Sequence, residues 1–213
     1  MPIKRLDAAK SRLRGALADV PHPALVLALA RDTLAAVLAC AQVRQVLVVT
    51  GDPVVGAELQ RLGARPVDEP PVPGLNAAFA HGASLAADEW VAALAADLPA
   101  LRPADFCAAL KAAGDGPSGV RRFVADAPGT GTVLLAAPPG VPLDPRFGAG
   151  SAVAHAASGA LPLTCAGPSL RRDVDTPADL WAAAALGLGQ HTAALLGRLS
   201  PPPAAPCPVP NVG

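Results

Sequence analysis

Short apolar runs alternate along the chain with longer segments in which apolar residues recur at helical spacing. The segment 23–41 has the helical pattern, and the β-branched run 45–50 after it predicts a fully buried strand. Further helices are predicted over 54–62, 75–87, 103–113, 151–158, 177–186 and 190–199, and further strands over 64–67, 90–96, 120–127, 133–137 and 161–166. Strands that alternate with helices predict an α/β fold with a mostly parallel sheet flanked by helices.

Chain length and proline content predict the domain organisation. The 213 residues suit a single domain, which we place over 1–199. The last segment, 200–213, contains six prolines and few branched apolar residues. We expect it to be a disordered tail.

The charge balance excludes one class of partner. Seventeen Lys and Arg residues balance 17 Asp and Glu residues, so the net charge is zero and no polyanion-binding surface is indicated. Aromatic residues make up 3% of the chain and tyrosine is absent, which disfavours the stacking of nucleic-acid bases. We expect no nucleic-acid partner.

The chain shows no signal for a membrane or an oxidising compartment. No uncharged run reaches the roughly 20 apolar residues of a membrane span, and the start lacks an apolar signal segment, so we expect a cytoplasmic protein with no membrane partner. The cysteines are widely spaced, without a CxxC pair, at Cys40, Cys107, Cys165 and Cys207. We expect neither a zinc site nor a disulfide framework.

Three aspartates carry the main prediction about chemistry. Asp97 directly follows a predicted strand, where the carboxyl ends of strands in α/β sheets gather ligands. Asp173 and Asp175 are two apart, so in an extended segment both carboxylates point to one face and repel unless a cation intervenes. The three aspartates therefore predict a Mg²⁺ site. The alternatives are helix caps, with Asp175 capping the helix that begins at Thr176-Pro177.

Two glycine-containing loops are candidate anion sites. The run Gly129-Thr130-Gly131-Thr132 would let backbone N–H groups approach a phosphate, although a plain turn between strands explains it equally well. Gly148 and Ser151 stand at a predicted helix start, which attracts anions. The alternative there is a serine N-cap.

Basic residues concentrate at the start of the chain. Lys4 and Lys10 are two of three lysines in the protein, and Arg5, Arg12 and Arg14 lie beside them. Such a cluster could clamp a triphosphate, or form a solvated helix face. None of the four histidines has a ligand-like partner three or four residues away, so none is predicted to act as a ligand.

Seven ordered blocks resemble one family, the 2-phospho-L-lactate / phosphoenolpyruvate guanylyltransferases of coenzyme F-420 biosynthesis. The blocks are PIKRLDAAKSRL at 2–13, VTGD at 49–52, GLNAA at 74–78, ADLPAL at 96–101, GTGT at 129–132, RFG at 146–148 with Ser151, and DVDTP at 173–177. The resemblance implies a nucleotidyltransferase fold of the glycosyltransferase-A type, similar to the molybdenum-cofactor guanylyltransferases. It implies transfer of GMP from GTP to phosphoenolpyruvate or 2-phospho-L-lactate, a small phosphorylated carboxylic acid, with release of pyrophosphate.

The resemblance also implies roles for individual residues. It implies that Asp97, Asp173 and Asp175 bind Mg²⁺. Contacts to the acceptor are implied for Thr132, Gly148 and Ser151, and contacts to the nucleotide for Gly74 and Asn76. Asp97, Lys4 and Lys10 are the predicted catalytic groups, and the active species is expected to be a monomer or a homodimer.

Two further points accompany the resemblance. Family members normally have an apolar strand before the Pro-x-Lys block, whereas Met1 alone precedes Pro2 here; we expect that strand to be absent or the natural start to lie upstream. The rival functions are a related nucleotidyltransferase for a molybdopterin or sugar phosphate, and a catalytically silent nucleotide-binding paralogue. The absence of a GxGxR opening disfavours the first, and the presence of all three aspartates disfavours the second.

Overall fold

The helices and strands follow the order that the sequence predicts. The computed structural model describes residues 1–7, 9–17, 20–86 and 88–197. Its helices are α1 (His22–Leu38), α2 (Pro53–Arg61), α3 (Leu75–Ser84), α4 (Pro103–Asp115), α5 (Ser151–Ala157), α6 (Pro177–Leu186) and α7 (Gln190–Leu196), with a 3₁₀ turn at Ser11–Leu13. Its strands are β1 (Leu47–Val49), β2 (Arg65–Val67), β3 (Val91–Leu94), β4 (Arg122–Ala125), β5 (Thr132–Ala137) and β6 (Leu161–Pro162). The predicted tail, 200–213, lies outside the described residues.

The α/β class is confirmed, and the strands form two sheets within the described residues. Strands β1 and β2 pair in parallel, while the second sheet has the order β3-β5-β4-β6. In that sheet β5 is antiparallel to both β3 and β4, and only β4 and β6 are parallel. The prediction of a mostly parallel sheet is therefore wrong for the second sheet, which is mixed. The reason is that a short turn, rather than a crossover helix, joins β4 to β5.

The first three residues pair with β1. The Ile3 N–H donates to Val49 O at 2.9 Å, and the Val49 N–H donates to Met1 O at 3.1 Å. The Met1 amino group donates to Leu47 O at 2.9 Å. The chain therefore leaves β1 at Lys4, which places the basic N-terminal segment at the edge where β1 ends.

Helix α1 packs its apolar residues into the main core. Val26, Leu34 and Val37 are each at most 5% exposed, and the core continues into α4 through Phe106 and Ala109. Across the described residues, no helix combines the length and apolar character needed to cross a membrane.

The packing of α1 and α4 corrects one cysteine prediction. Cys40 lies just beyond α1 and Cys107 lies within α4, and their sulfurs form a disulfide across a Cα–Cα distance of 5.7 Å. The prediction of no disulfide is therefore wrong for this pair. The 67-residue separation concealed it, because only the packing of two distant helices brings the thiols together. Cys165 is free and exposed, and Cys207 lies outside the described residues.

Candidate active site

Asp97 is held at the end of β3 by a buried threonine on α1. Thr33 is fully buried, and its hydroxyl donates to Leu29 O while also accepting the Leu98 N–H at 2.9 Å. The same hydroxyl lies 3.2 Å from Ala96 O. These contacts fix the backbone on both sides of Asp97, so the direction of its carboxylate is set by the core of the protein.

The segment 173–175 docks directly against Asp97. The Val174 N–H donates to Asp97 O at 3.0 Å, and the Val174 side chain is fully buried. The next helix is capped by Thr176, which forms a reciprocal capping box with Asp179. The alternative role of Asp175 as the cap of α6 is therefore wrong, and its side chain is available for another partner.

Lys10 links the two carboxylates. Its Nζ forms an ion pair with Asp97, and it lies 2.5 Å from Asp175 Oδ1. The Lys10 backbone has φ 50°, in the left-handed region that non-glycine residues rarely occupy. Backbone conformations of this kind cluster at functional sites, and the Lys10 side chain is only 22% exposed and pairs with two carboxylates. The solvated-face alternative is therefore wrong for Lys10.

The structure brings together two of the three predicted Mg²⁺ ligands, Asp97 and Asp175, on either side of Lys10. Asp97 and Asp175 are drawn together by one positive charge, and Mg²⁺ is typically held by one or two carboxylates together with substrate phosphates. Among residues 1–7, 9–17, 20–86 and 88–197, no three His, Cys, Asp or Glu side chains are grouped as a metal site. The roles of Asp97, Asp173 and Asp175 as Mg²⁺ ligands stay a prediction.

Asp173 lies in a strongly perturbed environment beside this pair. Burial raises the pKa of its carboxyl from 3.8 to about 6, against the opposing influence of Lys10. The negative charges of Asp175 and Asp126 raise the pKa further. A carboxylate that is destabilised in this way gains from any added positive charge, as a bound cation would supply.

Thr132, Gly148 and Ser151 come together through the ring of His155. The Thr132 hydroxyl lies 2.9 Å from His155 Nδ1, and the Arg146 N–H donates to His155 Nε2 at 2.9 Å. The Ser151 N–H donates to Gly148 O at 3.1 Å. The structure thus brings the three predicted acceptor-binding residues together in one region, which we call the acceptor corner. Thr132 and Ser151 are both buried there.

His155 is the residue of this corner that sequence reasoning passed over. It is fully buried between aromatic rings, with Phe147 at 5.1 Å edge to face and Phe123 at 6.0 Å. Burial, and then the nearby charge of Arg121, lower the pKa of His155. The available signal was its position four residues after Ser151, which places both on one face of α5.

The helix start at Ser151 differs from the predicted cap. Gly150, with φ 71°, is the N-cap residue of α5, and no side-chain capping bond is present. The serine N-cap alternative is therefore wrong, because Ser151 is already the first helical residue.

The Gly129–Thr132 turn is already satisfied by a carboxylate of the chain. The N–H groups of Thr130 and Gly131 donate to Asp126 at 2.9 and 2.8 Å. Those two N–H groups cannot also cradle a phosphate, so the structure favours the plain turn. Thr132, at the end of this run, reaches the acceptor corner through His155, and Thr130 O accepts the Ala152 N–H at 3.1 Å.

Gly74 and Asn76, the residues predicted to contact the nucleotide, lie at the start of α3, and Asn76 is hydrogen-bonded to the acceptor corner. Gly74 has φ 134° and precedes α3. The Asn76 side chain donates to Phe147 O at 3.1 Å and accepts the Phe147 N–H at 2.7 Å. Contact of Gly74 and Asn76 with a nucleotide stays a prediction.

Lys4 is not part of the carboxylate cluster. Its side chain is exposed, and it forms no ion pair with any residue that the structure describes.

Asp52, near the same segment, accepts the Leu6 N–H at 3.0 Å and caps α2. Burial raises the pKa of Asp52, but hydrogen bonds from Leu6, Val55 and Val54 outweigh it and hold the pKa below its usual value.

A cavity of about 560 Å³ opens where β1 and β2 end. Thr50 and Asp52 line it from the β1 side, and Arg65 and Asp68 line it from the β2 side. The carboxylates of Asp97 and Asp175 lie outside its walls. Its place at the carboxyl ends of two parallel strands is typical of ligand sites in α/β folds.

Comparison with known proteins gives consistent results. Residues 27–143 match the family described as the MobA-like NTP transferase domain. The phosphoenolpyruvate guanylyltransferase of Salinispora arenicola is 64% identical over 201 residues, covering 94% of this chain and 94% of that protein. The protein of the same name from Geodermatophilus obscurus is 55% identical and covers 95% of this chain and 94% of its own.

Two solved structures share the fold at low sequence identity. A putative nucleotide-diphospho-sugar transferase from Desulfovibrio desulfuricans superposes with a TM-score of 0.64 at 16% identity, covering 92% of each chain. A CMP:2-keto-3-deoxy-manno-octonic acid synthetase complexed with CTP gives a TM-score of 0.54 at 18% identity, covering 87% of this chain and 95% of its own.

Proposed function

The chain belongs to the phosphoenolpyruvate guanylyltransferase family, within the MobA-like NTP transferases, and we propose that it transfers GMP from GTP to phosphoenolpyruvate. An oxygen of the acceptor phosphate attacks the α-phosphorus of GTP and forms a new phosphoanhydride bond. The bond from the α-phosphorus to its bridging oxygen breaks, and pyrophosphate leaves. We place this step in coenzyme F-420 biosynthesis, as the family resemblance implies, and we propose a cytoplasmic location.

The observation that carries the proposal is the meeting of Lys10, Asp97 and Asp175. Both substrates are anionic, so their approach is opposed unless positive charge lies between them. The Lys10 ammonium is anchored on both sides by carboxylates, so the three groups together have a net charge of −1 and the excess positive charge would come from a bound divalent cation. Because the acceptor oxygen is the nucleophile, the chain needs to provide only positioning and charge stabilisation.

We propose that Asp97 and Asp175 also hold Mg²⁺, with Asp173 beside them. When bound, the metal would stabilise the negative charge that develops on the departing pyrophosphate. The two proposed ligands approach from different elements, the end of β3 and the segment before α6. The Val174–Asp97 backbone hydrogen bond keeps those elements together.

The acceptor and the nucleotide are proposed to occupy different regions. Thr132 and Ser151 are the hydroxyl groups available to the acceptor phosphate, next to the Gly148 backbone. The cavity at the ends of β1 and β2 is large enough for a nucleoside. Lys4, which leaves the sheet at the same edge, is proposed to act near the triphosphate.

Pyrophosphate release by the purified chain tests the proposed function. GTP is offered with phosphoenolpyruvate, with 2-phospho-L-lactate, with a sugar 1-phosphate or without an acceptor, and each reaction is repeated with ATP and CTP. We expect release to require GTP and phosphoenolpyruvate together. Faster release with a sugar 1-phosphate would show that the acceptor is a sugar phosphate rather than phosphoenolpyruvate. No release with any combination of nucleotide and acceptor would support a catalytically silent paralogue.

The metal is tested in the same assay. We expect a chelator to abolish pyrophosphate release and added Mg²⁺ to restore it. Full activity in the presence of the chelator would contradict the proposed Mg²⁺ site.

A further inference from the structure

The hydrogen-bond partners of His155 determine where its ring proton lies. A backbone N–H can only donate, so His155 Nε2, which faces the Arg146 N–H at 2.9 Å, must be an unprotonated acceptor. The lowered pKa of His155 favours the neutral ring. A neutral imidazole carries one proton, which therefore resides on Nδ1.

This tautomer determines the direction of the contact with Thr132. A protonated Nδ1 cannot accept the hydroxyl proton of Thr132, so the ring donates across the 2.9 Å contact and the Thr132 oxygen accepts. Among the hydrogen bonds that join described residues, the Thr132 hydroxyl has no other side-chain partner. Its proton is consequently left to donate to a ligand in the acceptor corner.

We propose that His155 is a positioning residue for the acceptor, and that it acts by holding the Thr132 hydroxyl as a hydrogen-bond donor to the acceptor phosphate. The proposal rests on the proposed function, since the acceptor phosphate is its target. Through Nε2 the same ring fixes the backbone at Arg146, two residues before Gly148. One buried side chain thus sets the relative position of two groups that are predicted to bind the phosphate.

The surroundings of His155 hold the ring in place. Phe147 packs edge to face on the imidazole, and Phe79 stacks on Phe147 at 4.2 Å. His155 is fully buried, and its ring hydrogen bonds within the described residues go to Thr132 and the Arg146 backbone rather than to Lys10, Asp97 or Asp175.

Three variants separate the two ring nitrogens. His155→Gln places an amide oxygen near the Nε2 position and can keep the acceptor for the Arg146 N–H, but it loses the Nδ1 donor. His155→Asn places an amide N–H₂ near the Nδ1 position and can keep the donor to Thr132. Ser158→Ala, at the C-cap of α5, is the matched control, because the Ser158 hydroxyl donates to the His155 backbone oxygen and to neither ring nitrogen.

Steady-state kinetics test the role in acceptor binding. We expect His155→Gln to raise the KM for phosphoenolpyruvate roughly three- to tenfold, the effect of one net hydrogen bond, with the KM for GTP unchanged. His155→Asn should restore part of this loss, and Ser158→Ala should resemble the wild type. An equal rise in the KM for both substrates would overturn the proposal.

A double-mutant cycle tests whether His155 acts through Thr132. Once Thr132→Val has removed the hydroxyl, adding His155→Gln should not raise the KM for phosphoenolpyruvate further. Independent, multiplicative effects of the two changes would show that His155 does not act through that hydroxyl and would overturn the proposal.

The tautomer can be measured without any turnover. Two-bond ¹H–¹⁵N correlation spectra distinguish protonated from unprotonated ring nitrogens, and the His155 signals are those missing from His155→Gln or His155→Asn. We expect a protonated Nδ1 and an unprotonated Nε2 near pH 7. A proton on Nε2 overturns the proposal even if wild-type turnover confirms the proposed function, whereas failure of wild-type turnover with the expected tautomer would contradict the function alone.

Discussion

The side chain of Asn76 satisfies both backbone groups of Phe147. Its amide nitrogen donates to Phe147 O at 3.1 Å, and its amide oxygen accepts the Phe147 N–H at 2.7 Å. The contact joins the second residue of α3 to the loop between β5 and α5, across 71 positions of sequence. A residue predicted to contact the nucleotide therefore supports the acceptor loop.

We predict that Asn76→Ala destabilises the fold and weakens acceptor binding. The change leaves a partly buried N–H and C=O of Phe147 without their partners, which costs on the order of 1–3 kcal/mol. The free energy of unfolding should fall by that amount, and the KM for phosphoenolpyruvate should rise more than the KM for GTP. Ser84→Ala, an exposed site on the same helix, is the control. A larger rise in the KM for GTP would instead support direct contact with the nucleotide.

Asp97→Asn and Asp175→Asn should each abolish most turnover while the protein remains folded. Each change removes one carboxylate of the pair that surrounds Lys10, and with it the proposed Mg²⁺ ligand, so kcat should fall at least about a hundredfold. Asp115→Asn is the matched control, because Asp115 forms an exposed ion pair with Lys111 on α4. Near-wild-type kcat in both Asp97→Asn and Asp175→Asn would rule out the proposed role of the cluster.

The protonation of Asp173 should make stability depend on pH. Its pKa is about 6 in the folded chain against an ordinary 3.8, so the folded state retains a proton that the unfolded state has lost between those values. The stabilising contribution of the protonated Asp173 carboxyl to the free energy of unfolding is therefore fully present below pH 3.8. This contribution is lost as the pH rises through about 6.

Asp173→Asn tests this dependence, since asparagine resembles the protonated carboxyl and cannot ionise. In urea unfolding without ligands, the variant should become more stable relative to the wild type as the pH rises from 4 to 7. The exposed control Asp88→Asn should show no such trend. A constant difference between Asp173→Asn and the wild type across this range would contradict the raised pKa.

Asp32 should be important for the docking of α7 on α1. Its buried carboxylate accepts the His191 N–H at 2.9 Å and the Thr192 N–H at 2.7 Å, at the start of α7. Asp32→Ala leaves both N–H groups without this acceptor, so the free energy of unfolding should fall by about 1–3 kcal/mol. Thermal and urea unfolding measure the change, with Asp88→Asn as the control. Unchanged stability would show that α7 contributes little to the fold.

Much of the secondary structure could be predicted from local sequence. The proline and aspartate at the start of α2 and the capping box at Thr176 are local signals, and both helices begin where these signals stand. Most predicted strands were too long because pairing, rather than β propensity, decides where a ladder ends. The run 90–96, for example, contributes only Val91–Leu94 to β3.

The sequence by itself determined the α/β class, the order of the elements and the family, since periodicity, caps and short motifs are properties of neighbouring residues. The tertiary structure alone decided which side chains meet. Lys10 reaches Asp175 across 165 positions, and Cys40 reaches Cys107 across 67. His155 shows the limit most clearly: its spacing from Ser151 was visible in the sequence, but its contact with Thr132 exists only because α5 packs beside the start of β5. Packing of distant segments sets such contacts, and no local pattern encodes their partners.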